Sequence, residues 1–233
     1  MGENHEGALM ALKVILGNKN YSSWSFRPWI AMKAAGIPFE EEVISLNADD
    51  FKQRVSKISG TGKVPALADG SVQVWESLAI LEYLAERFPA AGLWPADAAV
   101  RTLARALAAE MHAGFVPLRR HLPMNMWRPV AHRDLTPEVQ SNVRRIDAIW
   151  TDCRTRYGSG GAFLFGAFGA TDAMYAPVVA RFHTYAVEVG AVARAYMDAV
   201  MALPAWSEWH TAALAEPWVL PEDEVDWPTV MRV

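Results

Sequence analysis

The chain has 233 residues, 52% of them hydrophobic, and 26 acidic side chains against 22 Lys and Arg give a formal net charge of −4. That length supplies one large or two modest domains with a real core, and the composition excludes disordered, collagen-like and low-complexity classes. A single cysteine excludes a disulfide framework, a cysteine-ligated zinc site and an iron–sulfur cluster, and without a basic block nucleic acid is not expected as a partner.

Residues 1–7 are acidic and polar, lacking the basic and apolar regions of a secretory signal. No run of about 18 uncharged apolar residues follows, so no membrane partner is expected. The expectation is a cytoplasmic protein with a loose tail over residues 1–8.

Residues 12–16 form a compact β-rich run ending at Gly17. Residues 24–35 read as a helix stopped by Gly36. Pro28 is tolerated only near a helix start, which makes Ser25 the expected N-cap and Ser23 the alternative. A second strand is expected over residues 43–46, and Asp49 and Asp50 open a short polar helix reaching about Ile58. Residues 64–68 and 72–75 flank Asp69-Gly70, a hairpin signal, and Ile80, Leu84 and Phe88 share one helical stripe. The order is β-α-β-α-β-β-α.

From about Asp97 the strand signals stop. Leu103, Leu107, Met111, Phe115 and Leu118 mark one stripe of a long helix. Thr136-Pro137-Glu138 starts another, with Val139, Val143, Ile146, Trp150 and Cys153 as its core stripe. Cys153 is therefore expected to be a buried structural thiol. Further helices are expected over residues 170–187, 190–202 and 205–215. The predicted organisation is an α/β domain over residues 9–89, a linker over 90–96 and an all-helical domain over 97–233. Most of the ten tryptophans fall on these elements as packing residues, whereas Trp24 lies in the first βα turn.

That turn, residues 17–25, puts Ser22, Ser23 and Ser25 around one helix start. Free backbone N–H groups and hydroxyls there stabilise an anion, and three serines exceed what capping needs. Lys63-Val64-Pro65 places a proline at a strand entry, where its missing N–H is tolerated. At Glu76-Ser77 a strand gives way to a helix with Ser77 as the expected cap.

These motifs, in this order and followed by a helical domain, resemble the glutathione S-transferase family over nearly the whole chain. The resemblance implies an α+β two-domain fold, a thioredoxin-like domain followed by an all-α domain. Glutathione is then the co-substrate, no metal is required, and the protein is a homodimer. Ser25, Lys63, Val64, Pro65, Glu76 and Ser77 fall at glutathione-binding positions, Pro65 typically being cis. Ser23, or Ser22, is the hydroxyl that favours the thiolate. Met111, His112 and Phe115 are expected at the second-substrate pocket, His112 without a proton-transfer role. The serine run looks most like the zeta class motif Ser-Ser-Cys-Ser, with Trp24 in place of the cysteine. A further departure puts Gly169 at the cap position of a helix that keeps its acid, Asp172. The implied function is conjugation of glutathione to a small hydrophobic electrophile. The alternatives are glutathione-dependent isomerisation of the maleylacetoacetate type and non-catalytic ligand binding.

Overall fold

The computed structural model describes residues 12–233, so the tail expected over residues 1–8 lies outside the described residues. Strand β1 (Leu12–Leu16) is apolar apart from Lys13 and is covered on both faces. It pairs in parallel with β2 (Phe39–Val43) and antiparallel with β3 (Ala66–Asp69), which pairs with β4 (Val72–Trp75), giving the order β2-β1-β3-β4. Helices α1 (Ser23–Ala34), α2 (Phe51–Val55) and α3 (Ser77–Arg87) complete this thioredoxin-like unit.

Strand β2 begins four residues before the expected 43–46 and carries three consecutive glutamates. An edge strand tolerates such charge because one side of it faces water. Glu42 accepts from Lys13 at 2.8 Å and Arg54 at 2.7 Å, and these contacts hold its carboxyl below the usual range. The apolar run that suggested a strand, Ile44 to Leu46, instead bends inward. Ile44 N–H still bonds Leu16 O at 2.9 Å, but Leu46 N–H goes to the Asn18 side chain at 2.8 Å.

The helical half comprises α4 (Ala98–Ala113), α5 (Val116–His121), α6 (Pro137–Tyr157), α7 (Ala170–Thr184), α8 (Ala191–Met201) and α9 (Pro204–Leu214). The single helix expected from Leu103 to Leu118 is two. It stops at Gly114, and Phe115 turns the chain in the left-handed region at φ 57°. Leu107, Met111 and Leu118 all still face the core, which is why the stripe was continuous in sequence. Along α6 the expected stripe is buried, and burial pushes the Cys153 thiol up to about 12.

Helix α7 has fourteen of its fifteen residues buried, a helix apolar nearly all round and central to the domain. Its start is fixed by the Asp172 carboxylate, which accepts from Leu164 N–H at 3.0 Å and Gly169 N–H at 2.9 Å. Glycine at 169 has a packing reason: a Cβ there would lie 2.8 Å from Leu93 O. Trp29, Trp150 and Trp209 are wholly buried, and Trp209 stacks on Phe26 at 4.7 Å, joining α9 to α1. No helix among the described residues is long and apolar enough to cross a membrane.

Replacing Asp172 by Ala strands two amide donors, so equilibrium urea unfolding is expected to show a loss of about 2–4 kcal/mol. Asp172→Asn keeps one acceptor oxygen and is expected to lose less than Asp172→Ala in the same measurement.

Candidate active site

The first βα turn is held from three directions. Gly17 packs tightly enough that a Cβ would meet Leu46 Cδ2 at 2.8 Å and Ser22 Cβ at 3.2 Å. Buried Asn18 takes the Leu46 N–H, and buried Asn20 accepts from Met126 N–H at 2.6 Å and Trp127 N–H at 3.0 Å. From the C-terminal segment, the Glu216 carboxylate accepts from Lys19 N–H at 2.6 Å and Asn20 N–H at 3.1 Å. The Tyr21 hydroxyl donates to Glu224, so that phenol is engaged away from the serines.

Helix α1 starts earlier than expected. Ser22, rather than Ser25 or Ser23, is its N-cap, with Ser22 Oγ accepting from Ser25 N–H at 3.4 Å. Pro28 therefore lies inside the helix, and the Trp24 carbonyl loses its ladder donor. The compensation is burial: Phe26, Trp29 and Ile30 are all wholly enclosed. Ser25 is wholly buried too. Its oxygen accepts from Gly17 N–H at 3.0 Å and the Ser22 hydroxyl at 2.8 Å, so it ties the helix start to the end of β1, and it lines neither of the two cavities beside this turn.

The two remaining serines differ. The Ser22 proton goes to Ser25, whereas Ser23 Oγ accepts from Arg181 Nη2 at 3.3 Å and its own proton is uncommitted. Both serines line a cavity of about 390 Å³ together with Trp24, Lys63, Val64, Arg119, Arg181 and Asp223. Trp24, Lys63 and Val64 also line an adjoining cavity of about 270 Å³, which adds Thr61, Pro65, Glu76 and His112. The Val64–Pro65 bond at this junction is cis.

Glu76, not Ser77, is the residue flanking α3, and it adopts φ 71°, an unusual conformation for a non-glycine residue. Ser77 is the first helical residue, wholly buried, with its hydroxyl directed at the Met174 sulfur 4.0 Å away. Its neighbour Glu76 lines the second cavity, whereas Ser77 does not. His112 stands on that wall, with Nε2 3.7 Å from the Glu76 carboxylate and its ring edge-on to Trp24 at 5.3 Å. Burial lowers the His112 pKa; Glu76 opposes this, and Arg27 and Arg119 push further down. The balance favours the neutral imidazole. Met111 and Phe115 line neither cavity; they are core residues, Met111 because it faces inward from α4 and Phe115 because the chain reverses there.

Three arginines were not singled out from the sequence. Arg27 is wholly buried on α1, donates to Met174 O at 3.1 Å, and packs over Trp24 at 4.1 Å, leaving both terminal nitrogens without a partner. Arg119 reaches the same indole at 5.3 Å. Arg181 comes from α7, and its pKa is pulled down to about 10 by burial. Facing them, burial and the neighbouring Glu222 raise Asp223 to about 6, with Arg181 opposing. Arg27 follows Ser23 by four residues, one helical turn, and was open to recognition from that spacing. Nothing local marks Arg181 or Asp223. Among the described residues no cluster of three His, Cys, Asp or Glu side chains is placed to hold a metal ion.

Residues 21–87 match the model of the glutathione S-transferase N-terminal domain, and residues 96–212 that of the C-terminal domain. The chain is 45% identical over 60 residues to dichloromethane dehalogenase of Methylorubrum extorquens, covering 25% of this chain and 21% of that one. It is 27% identical over 188 residues to maleylacetoacetate isomerase of Rattus norvegicus, covering 78% and 83%. For the first curated relatives matched, the chain spans from about a fifth to just over half of their length. The fold matches a crystal structure of a glutathione transferase homolog from Burkholderia with bound glutathione at a TM-score of 0.67 and 22% identity, covering 87% and 98%. Two domain models cover most of the chain, and relatives of the zeta type stand among its matches; the chain belongs to the glutathione S-transferase family.

Proposed function

We propose that the protein is a glutathione transferase in which the Ser23 hydroxyl donates to the glutathione sulfur and favours the thiolate. The observation that carries this is the hydrogen-bond pattern of the turn: Ser22 spends its proton on Ser25, whereas Ser23, which also lines the larger cavity, accepts from Arg181 and keeps its own proton free. The γ-glutamyl end then occupies the smaller cavity beside Glu76, with Val64 and Pro65 along the cysteinyl part. Ser25 and Ser77 serve the site by shaping its floor. Lys63 borders both cavities and faces the tripeptide's negative charge. The reading includes a cytoplasmic homodimer, as family membership implies.

The magnitudes fit. A free thiol titrates near ~8.5, and lowering that by about two units requires roughly 2.7 kcal/mol of preference for the anion. A hydrogen bond to a charged group supplies about 1.5–3 kcal/mol, and a helix N-terminus about 0.3–1 kcal/mol. The ionised sulfur forms a bond to the electrophilic carbon and the leaving group departs with its electron pair.

The cavity walls also favour a second reading. Lys63, Arg119 and Arg181 outnumber Asp223 around the larger cavity, a balance suited to an electrophile that carries a carboxylate. This supports the maleylacetoacetate-type isomerisation over conjugation of a neutral compound. Trp24 stands where the zeta motif has cysteine and leaves less room beside the sulfur. A non-catalytic binder has no use for an uncommitted serine proton at the cavity.

Ser23→Ala is expected to raise the pKa of bound glutathione, read from its thiolate ultraviolet band, by about one to two units while its Kd changes by less than about threefold. Ser22→Ala is expected to cost about 1 kcal/mol of stability as a lost cap and to move the thiol less. A larger thiol shift from Ser22→Ala would reverse the assignment. A steady-state comparison of a neutral aryl halide with a cis-enoic diacid separates the two substrate readings. Preference for the diacid by about tenfold or more in kcat/KM, the equivalent of one additional ionic contact, selects the isomerase. Turnover of neither, with retention on immobilised glutathione, selects the binder.

A further inference from the structure

Arg181, from the helical domain, hydrogen-bonds one of the serine pair. Its guanidinium is fixed at three points: Nε donates to Leu122 O at 2.7 Å, Nη1 to Pro177 O at 3.0 Å and Nη2 to Ser23 Oγ at 3.3 Å. All three acceptors are neutral. The side chain is 4% exposed, so a full positive charge is held inside the protein with only neutral hydrogen-bond partners. Arg119 lies near enough to disfavour that charge further, and Tyr185 and Asp223 are the nearby groups that favour it. A buried cation with neutral partners costs stability, and a single packing role is better filled by an apolar side chain. An anion arriving at Ser23 offsets that cost.

We propose that Arg181 is a positioning residue for the thiolate: by occupying an acceptor lobe of Ser23 Oγ it turns the hydroxyl proton toward the sulfur, and its charge sits behind the anion that forms. A planar fork is required, because one nitrogen must reach Ser23 while the other two are held by Leu122 O at the end of α5 and by Pro177 O one turn back on α7. Lysine has the charge but cannot span three acceptors. The inference rests on Ser23 as the donor to sulfur and deepens that reading by assigning part of the activation to the second domain.

The test is a double-mutant cycle read as the pKa of glutathione bound to Ser23→Ala, Arg181→Lys and the double variant, with Kd measured alongside. Arg181→Lys is expected to raise the thiol pKa by about one unit, with kcat at neutral pH falling up to about tenfold and Kd nearly unchanged. In the Ser23→Ala background the same substitution is expected to add little, because its route to the sulfur is gone. Additive shifts, or no shift from Arg181→Lys where Ser23→Ala gives one, overturn the role of Arg181 and leave Ser23 standing. No shift from Ser23→Ala removes the parent reading and this inference with it. Should Arg181→Lys fail to fold, the wild-type protein with 15N-labelled arginine answers the question. The Arg181 Nε–H resonance is expected to move with the thiol titration in the glutathione complex and to stay fixed with S-methylglutathione. A resonance insensitive to the thiol in both complexes overturns the proposal.

Discussion

Helix α1 has almost no surface to spare. Nine of its twelve residues are buried, between the sheet on one side and α7 and α9 on the other, and Arg27 reaches across to the Met174 carbonyl of α7. A helix buried all round cannot rotate or slide without moving both domains. Its N-terminus, with the serine pair, is therefore placed by the whole molecule rather than by the turn that precedes it. The misplaced proline and the unsupported Trp24 carbonyl are tolerated because enclosing Phe26, Trp29 and Ile30 outweighs one lost ladder bond. Full burial of such side chains is worth about 1.5–3 kcal/mol each.

The chemical character of the site follows from what surrounds that helix start. Trp24 forms part of the wall of both cavities, with one guanidinium at 4.1 Å and another at 5.3 Å from its ring. Cation–π contacts of this kind are strongest where water is excluded. They fix the indole, and they bring uncompensated positive charge close to the serines. His112, edge-on to the same ring, has its protonated form disfavoured by burial. The result is a cavity that is apolar in shape and electropositive in field.

Much of this was legible in the residues. The hairpin at Asp69-Gly70, the Val64–Pro65 entry, the capped start of α6 and the start and end of α8 and α9 follow from turn and cap chemistry that acts over a few residues. What was not legible is what depends on distant partners. The N-cap of α1 fell at Ser22 because tertiary packing overrode the local penalty at Pro28. Strand β2 took the glutamates because an edge beside Lys13 and Arg54 suits them, a fact set by topology. The break at Gly114 is hidden by a stripe that continues past it into α5. In the site, the serines, Val64, Pro65 and Glu76 carry local signals, whereas Arg181 lies 158 residues from Ser23 and nothing local to it marks a role there.

The clamp on the first turn has a consequence for how the protein is made. Glu216 holds the amides of Lys19 and Asn20 from nearly two hundred residues downstream, and Glu224 takes the Tyr21 hydroxyl. At about 5–20 residues per second, the ribosome finishes this partner roughly 10–40 s after the turn has been synthesised. The sheet and α1 are synthesised first, but the turn that bears the serines lacks these partners until residues 216–224 have been made. The site's first turn thus depends on contacts that exist only once the chain beyond α9 has been made.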